Sequence, residues 1–174
     1  INHKDAKCIE KTKVIKKLKK LLEDPSIKKI GQNIKFDFIV FFKQGIEMNS
    51  MEDTMLMSYV LDAGKNRHNM DTLSEIHLNH KTIAFKDLVG IGKKQIKFSE
   101  VKIDKAMEYA AEDADITFRL YKIFIENLKI ENLTNIYEIF EKPLIKILAL
   151  MEIYGVKINK NFLKNLSEKF EIKI

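Results

Sequence analysis

The chain has 174 residues, of which 45% are hydrophobic and 32% are charged, and its formal net charge is +6. This composition is typical of one well-cored globular domain, because two domains of ordinary size need a longer chain. The longest uncharged apolar runs, such as residues 38–42, are too short to span a bilayer, so we expect no membrane segment. Cys8 is the single cysteine, which excludes an internal disulfide and favours a cytoplasmic location. The basic charge suits a polyanionic partner, although a lysine-rich surface alone is a weak indication.

The N-terminal half is predicted to alternate helices with short strands. Residues 12–23 place apolar side chains at helical spacing opposite lysines, which is typical of a surface helix. Residues 27–33 form a short apolar run with a glycine, which indicates a strand and a turn, and helical spacing resumes over residues 34–45. Residues 52–63 begin like a strand and continue like a helix.

The C-terminal half is predicted to be helical. Asp71 is expected to cap a helix, and residues 86–100 combine glycines and lysines in a pattern typical of an exposed basic loop. The longest helix is predicted over residues 105–128, after an Asp104 cap. Further helices follow, because apolar spacing recurs up to the end of the chain.

The helix over residues 105–128 has one apolar arc when successive residues are placed about 100° apart. The residues of this arc are mostly small or apolar: Ala106, Ala110, Ala114, Thr117, Leu120, Tyr121 and Phe124. Glu108, Glu112 and Asp115 fall outside the arc and are interpreted as solvent-exposed charges.

Asp113 falls inside that arc, one helical turn after Tyr109. An ionised carboxylate facing a core costs several kcal/mol or becomes protonated, so it needs a cation or strong hydrogen-bond donors. On spacing alone, an ion pair with Lys or Arg and a bound metal ion meet this need equally well. Asp37 is a second candidate, since it lies between Phe36 and Phe38, although an Asp near a helix start is also a common cap. Two converging carboxylates are the hard oxygen ligands that Mg²⁺ prefers.

Two motifs of the chain resemble those of the proofreading 3′-5′ exonuclease domain of bacterial DNA polymerase I. GQNIKFD (31–37) resembles the second exonuclease motif of that family, and YAAEDAD (109–115) resembles its third, Tyr-x-x-x-Asp, motif. Other segments, such as DTMLMSYVLDAG and EKPLIKILALMEIYGVKIN, follow in the family's order and approximate spacing, so the resemblance covers nearly the whole chain. It implies an α/β fold of the ribonuclease-H-like class. It also implies two-metal hydrolysis, with Mg²⁺ or Mn²⁺, of the 3′-terminal phosphodiester of single-stranded or frayed DNA.

The resemblance also implies roles for individual residues. Asp37 would bind the second metal ion, Asp113 would bind the ion that activates the attacking water, and Tyr109 would orient that water. Further residues match positions that the family uses around the single-stranded 3′ end: Gln32, Asn33, Arg67, His68 and Phe85. Amides and arginine suit phosphates and sugars, and a phenylalanine can stack on a base without reading its sequence.

The family's first motif, Asp-x-Glu, does not occur in the 174 residues. Since the opening INHKDA resembles the stretch after the antiparallel strands that carry this motif, we expect residues 1–140 to be an N-terminally incomplete, helix-rich exonuclease domain with weak or no cleavage. Residues 141–174 resemble the start of the polymerase thumb, which implies a covalently linked polymerase domain in a bacterial, monomeric parent protein. The alternative is an impaired fragment that binds nucleic acid, or packs against the polymerase, without hydrolysis.

Other polar residues are interpreted as structural. His77 and His80 lie on one helix without a third ligand, so they are interpreted as surface or core histidines rather than a metal pair. Glu52 and Asp53 are interpreted as ordinary turn or cap residues. Residues 90–95, GIGKKQ, do not complete the glycine pattern of a phosphate-binding loop.

Overall fold

The structure, a computed structural model, describes residue 3, residues 8–92 and residues 95–172. Its helices and strands are, in chain order, α1 (Lys11–Glu23), β1 (Lys29–Gly31), α2 (Ile34–Phe42), β2 (Met51–Asp53), α3 (Thr54–Asp62), α4 (Met70–Leu78), α5 (Phe85–Val89), α6 (Ile103–Ile130), α7 (Thr134–Ile136), α8 (Lys142–Tyr154) and α9 (Lys160–Glu171). A 3-10 turn (Phe98–Glu100) precedes α6, and a π-helical turn (Tyr137–Glu141) joins α7 to α8. None of the helices in the described ranges is both long and apolar enough to cross a membrane.

The described residues contain one sheet, made of the two parallel strands β1 and β2. Three residue pairs set its register: Lys29 with Met51, Ile30 with Glu52, and Gly31 with Asp53. Parallel strands need a crossover connection, which α2 supplies. Both strands, and the helix that follows each of them, lie where the sequence predicts them.

Two clusters of buried side chains form the interior. The first cluster joins α1, α2 and α8 and contains Leu22, Ile34, Phe38, Ile46, Met48, Ile145 and Ala149. The second joins α3, α4 and α6 and contains Met57, Leu73, Ile116, Leu120, Phe124, Leu128 and Tyr137. Leu56 packs against both clusters, so α3 connects the two halves of the interior. Full burial of each large apolar side chain contributes about 1.5–3 kcal/mol, so these clusters hold the helices on the short sheet.

The N-terminal half of α6 is less buried than the apolar arc predicts. Thr117, Leu120 and Phe124 are buried as expected, whereas Ala110 and Ala114 are exposed. The two alanines line an open cleft beside β1 rather than a closed core.

Two of the predicted helix caps are wrong. Asn69, not Asp71, holds the N-cap position of α4, and the Asp71 carboxylate instead accepts a hydrogen bond from the Thr82 hydroxyl at 2.7 Å. Lys102 precedes α6, so Asp104 lies inside the first turn of that helix. The first turn is also a favourable position for an acidic side chain, which explains why the pattern places the helix starts slightly too late.

Glu52 is a buried charge that connects β2 to the C-terminal helices. Its side chain is 2% exposed. Tyr137 donates its hydroxyl hydrogen to Glu52 Oε2 at 3.0 Å, and Lys142 Nζ lies 2.9 Å from Oε1. Burial, and then the charge of Glu52, raise the pKa of Tyr137, which keeps the phenol protonated as a donor. The prediction of an ordinary turn residue is wrong here, because two of its three charged or hydrogen-bonding partners, Tyr137 and Lys142, lie 85 or more positions further along the chain.

Candidate metal and nucleic-acid site

An open cleft lies between the end of β1, the start of α2 and the N-terminal half of α6. It encloses about 610 Å³ and is lined by both predicted carboxylates, Asp37 and Asp113. Gly31 and Gln32, from the turn before α2, line the same cleft, as does Thr117 from α6. The fold therefore brings together two acidic residues that are 76 positions apart in the sequence (113 minus 37).

The start of α2 is fixed by a glycine and by a buried carboxylate. A Cβ atom at Gly31 would lie 2.9 Å from Ile34 Cβ, so glycine is required there. Asn33 is exposed and has φ of 59°, a left-handed conformation that asparagine tolerates. Asp53 accepts hydrogen bonds from the backbone N–H groups of Asn33 at 3.0 Å and Ile34 at 2.9 Å. These bonds satisfy donors that a helix start leaves unpaired, and they set the position of Asp37 in the first turn.

Asp53 serves a second helix at the same time. It is the N-cap of α3, as predicted, and accepts hydrogen bonds from the backbone N–H groups of Met55 at 2.9 Å and Leu56 at 3.4 Å. The side chain is therefore more than an ordinary cap, because one carboxylate that is 1% exposed holds the starts of both α2 and α3.

Asp37 carries a charge that its surroundings disfavour. Its outer side is exposed, but contact with the protein on the other side raises its pKa more than a backbone hydrogen bond lowers it. No Lys or Arg of the described ranges forms an ion pair with it. A carboxylate in this state would be stabilised by a cation entering the cleft.

Asp113, which lines the cleft from α6, also carries a charge that its surroundings disfavour. Burial raises its pKa most, the hydrogen bond from Tyr109 lowers it, and the charges of Glu112 and Asp71 raise it further. The pKa of Tyr109 is raised to about 12, first by burial and then by Asp113, so the phenol remains protonated at neutral pH. Tyr109 therefore places a protonated phenol, a potential hydrogen-bond donor, one helical turn before the Asp113 carboxylate.

The structure does not support the alternative of a structural ion pair at Asp113. Within the part of the chain that is described, no Lys or Arg pairs with Asp113, and the nearby Arg119 instead approaches Asp115 at 3.4 Å. The same part contains no group of three or more His, Cys, Asp or Glu side chains that could hold a metal ion. The cleft thus offers a pair of carboxylates rather than a complete set of metal ligands.

Some of the predicted substrate-binding side chains near β1 are held by hydrogen bonds within the protein, and others are exposed. Gln32 Nε2 donates to the backbone oxygen of His68 at 2.8 Å, and Gln32 Oε1 accepts from the Thr54 hydroxyl. His68 Nδ1 lies 2.9 Å from Ser58 Oγ. Arg67 is exposed next to them. Gln32 and His68 therefore tie the turn before α2 to the loop between α3 and α4. Arg67, in that loop, is the accessible cation of this group.

Phe85 belongs to an aromatic cluster at one end of the site. Its ring is stacked on Phe98, with centroids 5.9 Å apart, and lies 6.1 Å from the ring of Tyr109. Phe85 is 48% exposed and Phe98 is 42% exposed, so the cluster keeps an accessible apolar face. Sequence reasoning did not single out Phe98, although an aromatic residue in a basic loop was an available signal.

Glu112 is not the solvent-exposed charge that its position on the helix predicts. Its side chain is only 16% exposed and lies 2.7 Å from His80 Nε2 through Oε1. Its Oε2 accepts a hydrogen bond from the backbone N–H of Ile83, also at 2.7 Å. The prediction is wrong because the loop after α4 folds over this face of α6, a contact that helix periodicity does not contain.

Comparison with known proteins matches this arrangement. A family model described as 3′-5′ exonuclease matches residues 2–129. A DNA polymerase I of Rhizobium leguminosarum is 48% identical over 151 residues, which are 87% of this chain and 15% of that protein. A DNA polymerase I of Pseudomonas aeruginosa is 40% identical over 169 residues, which are 92% of this chain and 18% of that protein. The chain therefore spans less than a fifth of the length of these relatives.

A similar solved structure is NrnC of Brucella melitensis bound to pGG, with a TM-score of 0.62 and 25% identity over 81% of this chain and 67% of that chain. The helix-rich α/β fold of the ribonuclease-H-like class, expected from the motifs, is confirmed. Enzymes of this family generally depend on divalent metal ions. Because the family model matches more than half of the chain, the chain belongs to the 3′-5′ exonuclease family that is present in bacterial DNA polymerase I.

Proposed function

We propose that this chain removes nucleotides from the 3′ end of single-stranded or frayed DNA, as the proofreading part of a bacterial DNA polymerase I. One observation carries the proposal. Asp37 and Asp113 line one cleft, both have a raised pKa, and neither has a Lys or Arg ion-pair partner among the described residues. Family membership supports the 3′-5′ polarity, and the pGG bound to NrnC supports a nucleic-acid substrate.

Asp37 and Asp113 would hold the divalent metal ions, Mg²⁺ or Mn²⁺, that the family uses. Carboxylate oxygens are the ligands that these hard cations prefer, and water and phosphate oxygens can complete the coordination. When bound, such ions supply an activated water and neutralise charge on the reacting phosphate. By the family's pattern Asp113 belongs to the ion that activates water, and Asp37 to the second ion.

Tyr109 acts as a hydrogen-bond donor rather than as a base in this proposal. Its pKa of about 12 leaves it protonated at neutral pH, and it lies close enough to Asp113 for the two groups to influence each other's pKa. A neutral phenol in this position can orient a water molecule next to Asp113, but it cannot remove that water's proton.

The nucleic acid would contact the aromatic cluster and the exposed polar residues around the cleft. Phe85 offers its accessible ring to the terminal base, because stacking contributes about 1–3 kcal/mol per base without sequence preference. Arg67 and Asn33 are exposed for contacts with phosphate or sugar. Gln32 and His68 support this surface by fixing the loops that carry it.

We also propose that residues 1–140 form an exonuclease part and that residues 141–174 begin a polymerase part. The family match ends at residue 129, and α9 has no buried residue, which supports a change after α6. Ile145 and Ala149 nevertheless pack in the first core cluster, so α8 is the contact between the two parts. The parent protein would act as a monomer in the bacterial cytoplasm.

Release of label from single-stranded DNA tests the proposal. With Mg²⁺ or Mn²⁺, oligonucleotides labelled at the 3′ end should lose the label before any internal product forms, and 5′-labelled copies should shorten stepwise. The rate is expected to be low, since the 174 residues contain no Asp-x-Glu to complete the ligand set. Release of the 5′ label first, or cleavage that persists in EDTA, would contradict the proposal.

A second candidate function is nucleic-acid binding without hydrolysis. The observation that favours it is the lack of any three-ligand metal group among the described residues. Binding of single-stranded 3′ ends with no metal-dependent release of label, at any metal concentration tested, would favour this candidate.

Metal binding is expected to respond to acid at a higher pH than ordinary aspartates allow. The folded-state pKa values of Asp37 and Asp113 are raised, so both carboxylates take up protons above the usual aspartate range near pH 4. Protonation competes with the metal ion, so as the pH is lowered the Mn²⁺ affinity should begin to fall above that range. Calorimetric titration at several pH values measures this, and an affinity that stays constant down to about pH 4 would show that the carboxylates are not the ligands.

A further inference from the structure

We propose that Glu112 is a positioning residue for the nucleic-acid contact, because it fixes the loop that carries Phe85 to the helix that carries Tyr109 and Asp113. The proposal rests on the proposed function, in which Phe85 receives the terminal base. It assigns to Glu112 a role in holding that ring, and no direct contact with the substrate.

Glu112 binds the loop between α4 and α5 through both carboxylate oxygens. Oε1 lies 2.7 Å from His80 Nε2, and Oε2 accepts the backbone N–H of Ile83 at 2.7 Å. The side chain is 16% exposed, whereas the Asp115 side chain of a surface ion pair on the same helix is 64% exposed. Charge-assisted hydrogen bonds of this kind are stronger than neutral ones, and more so when shielded from water.

The remaining anchors of this loop come from α4. Ser74 donates its hydroxyl hydrogen to the backbone oxygen of His80 at 2.8 Å, and the Thr82 hydroxyl donates to Asp71 at 2.7 Å. Glu112 is the contact in this set that comes from α6. It therefore ties the end of the loop to the helix that lines the cleft, whereas the other hydrogen bonds tie it to α4.

Phe85 begins α5 only two residues after Ile83, so an anchor at Ile83 also places the Phe85 ring. The ring lies 6.1 Å from the Tyr109 ring, and Tyr109, Glu112 and Asp113 share one turn of α6. Tyr109 and Asp113 thus carry the proposed chemistry. Glu112, on the same stretch of α6, sets the distance between that site and the Phe85 ring.

Binding of two single-stranded oligonucleotides in EDTA tests this role in the full 174-residue chain. One oligonucleotide ends in 2-aminopurine at its 3′ terminus, and the other ends in an abasic nucleotide. Phe85→Ala should weaken binding of the base-ended strand about tenfold, in line with the loss of one stacked base. Glu112→Ala should weaken it about five- to tenfold, and Glu112→Gln, which keeps one acceptor oxygen, by less. Neither Glu112 variant should affect the abasic strand.

The double variant separates positioning from general damage to the fold. If Glu112 acts through Phe85, adding Glu112→Ala to Phe85→Ala should produce no further loss, because the two effects are not additive. Glu108→Gln, an exposed acid on the same helix, is the matched control and should leave both affinities unchanged. If Glu112→Ala does not fold, His80→Ala, which removes one of the two hydrogen bonds, should give a smaller loss on the base-ended strand alone.

Two kinds of result would overturn the proposal. Additive losses, equal losses on both oligonucleotides, or no loss in the Glu112 variants while Phe85→Ala weakens binding would refute the positioning role alone. An unchanged affinity in Phe85→Ala itself would refute the proposed base contact and, with it, the role of Glu112.

Discussion

Replacing Asp113 with alanine is expected to lower any metal-dependent release of the 3′ nucleotide by at least about a hundredfold. A bound metal ion stabilises the transition state by several kcal/mol, and each 1.36 kcal/mol corresponds to a factor of ten in rate. Asp113 supplies one of the two carboxylates that line the cleft, so its loss leaves Asp37 alone. The release assay with 3′-labelled DNA, together with Mn²⁺ titration calorimetry, measures both consequences.

Replacing the Asp113 carboxylate is expected to lower activity without lowering the stability of the metal-free protein. The folded-state pKa of Asp113 lies above its unfolded value, so the folded protein binds the extra proton, and stability falls as the pH rises through that range. At neutral pH without metal, the charged form therefore costs free energy, and Asp113→Asn should not lower the melting temperature and should raise it slightly.

Asp115→Asn on the exposed face of α6 is the matched control for Asp113. It should leave Mn²⁺ affinity and label release unchanged, because Asp115 points away from the cleft and pairs with Arg119. Full activity in Asp113→Ala, or a melting temperature of Asp113→Asn several degrees below that of the parent chain, would be evidence against a desolvated metal-binding carboxylate.

Replacing Asp53 with alanine is expected to destabilise the chain by about 2–4 kcal/mol. The carboxylate accepts four backbone hydrogen bonds at the starts of α2 and α3, and its side chain is buried. Loss of one helix cap costs about 0.5–2 kcal/mol, and each donor left buried without a partner costs about 1–3 kcal/mol. For a chain of this size the melting temperature should fall by roughly 5–15 °C.

Asp53→Asn and Asp104→Ala complete this experiment. Asn keeps one acceptor oxygen and should lose less than alanine does. Asp104 lies in the exposed first turn of α6 without a capping hydrogen bond, so its replacement should change the free energy of unfolding by about 0.5 kcal/mol or less. Equal melting temperatures for Asp53→Ala and Asp104→Ala would show that Asp53 does not support the two helices.

Much of the fold follows from local patterns in the sequence. Apolar spacing predicts α1, α2 and α6, and the glycine before α2 marks the turn in which a Cβ atom would collide with Ile34. The angular position of Asp113 on α6 predicts a carboxylate on the apolar face of that helix. The structure places it in the cleft with Asp37. These predictions succeed because each depends on residues within one or two helical turns.

The errors arise where a partner comes from a distant part of the chain. Glu112 has the periodicity of a surface residue, and only the loop that ends at Ile83 makes it a buried anchor. Glu52 has the pattern of a turn residue, and two of its three partners, Tyr137 and Lys142, belong to the C-terminal segment. Ala110 is a different case, since small side chains look like core positions even when they line a cleft. Helix and strand periodicity contains no information on these long-range contacts.

Asp37 and Asp113 together are expected to attract a divalent cation into the cleft. Titration of the ¹⁵N-labelled chain with Mn²⁺ measures this most directly, because the paramagnetic ion broadens the amide signals nearest to it. We expect the first signals lost to be those of Asp37, Asp113 and their neighbours, and we expect Asp113→Asn to abolish this selectivity. Broadening that begins at surface acids such as Glu108 and Asp115, and is the same in Asp113→Asn, would contradict the claim.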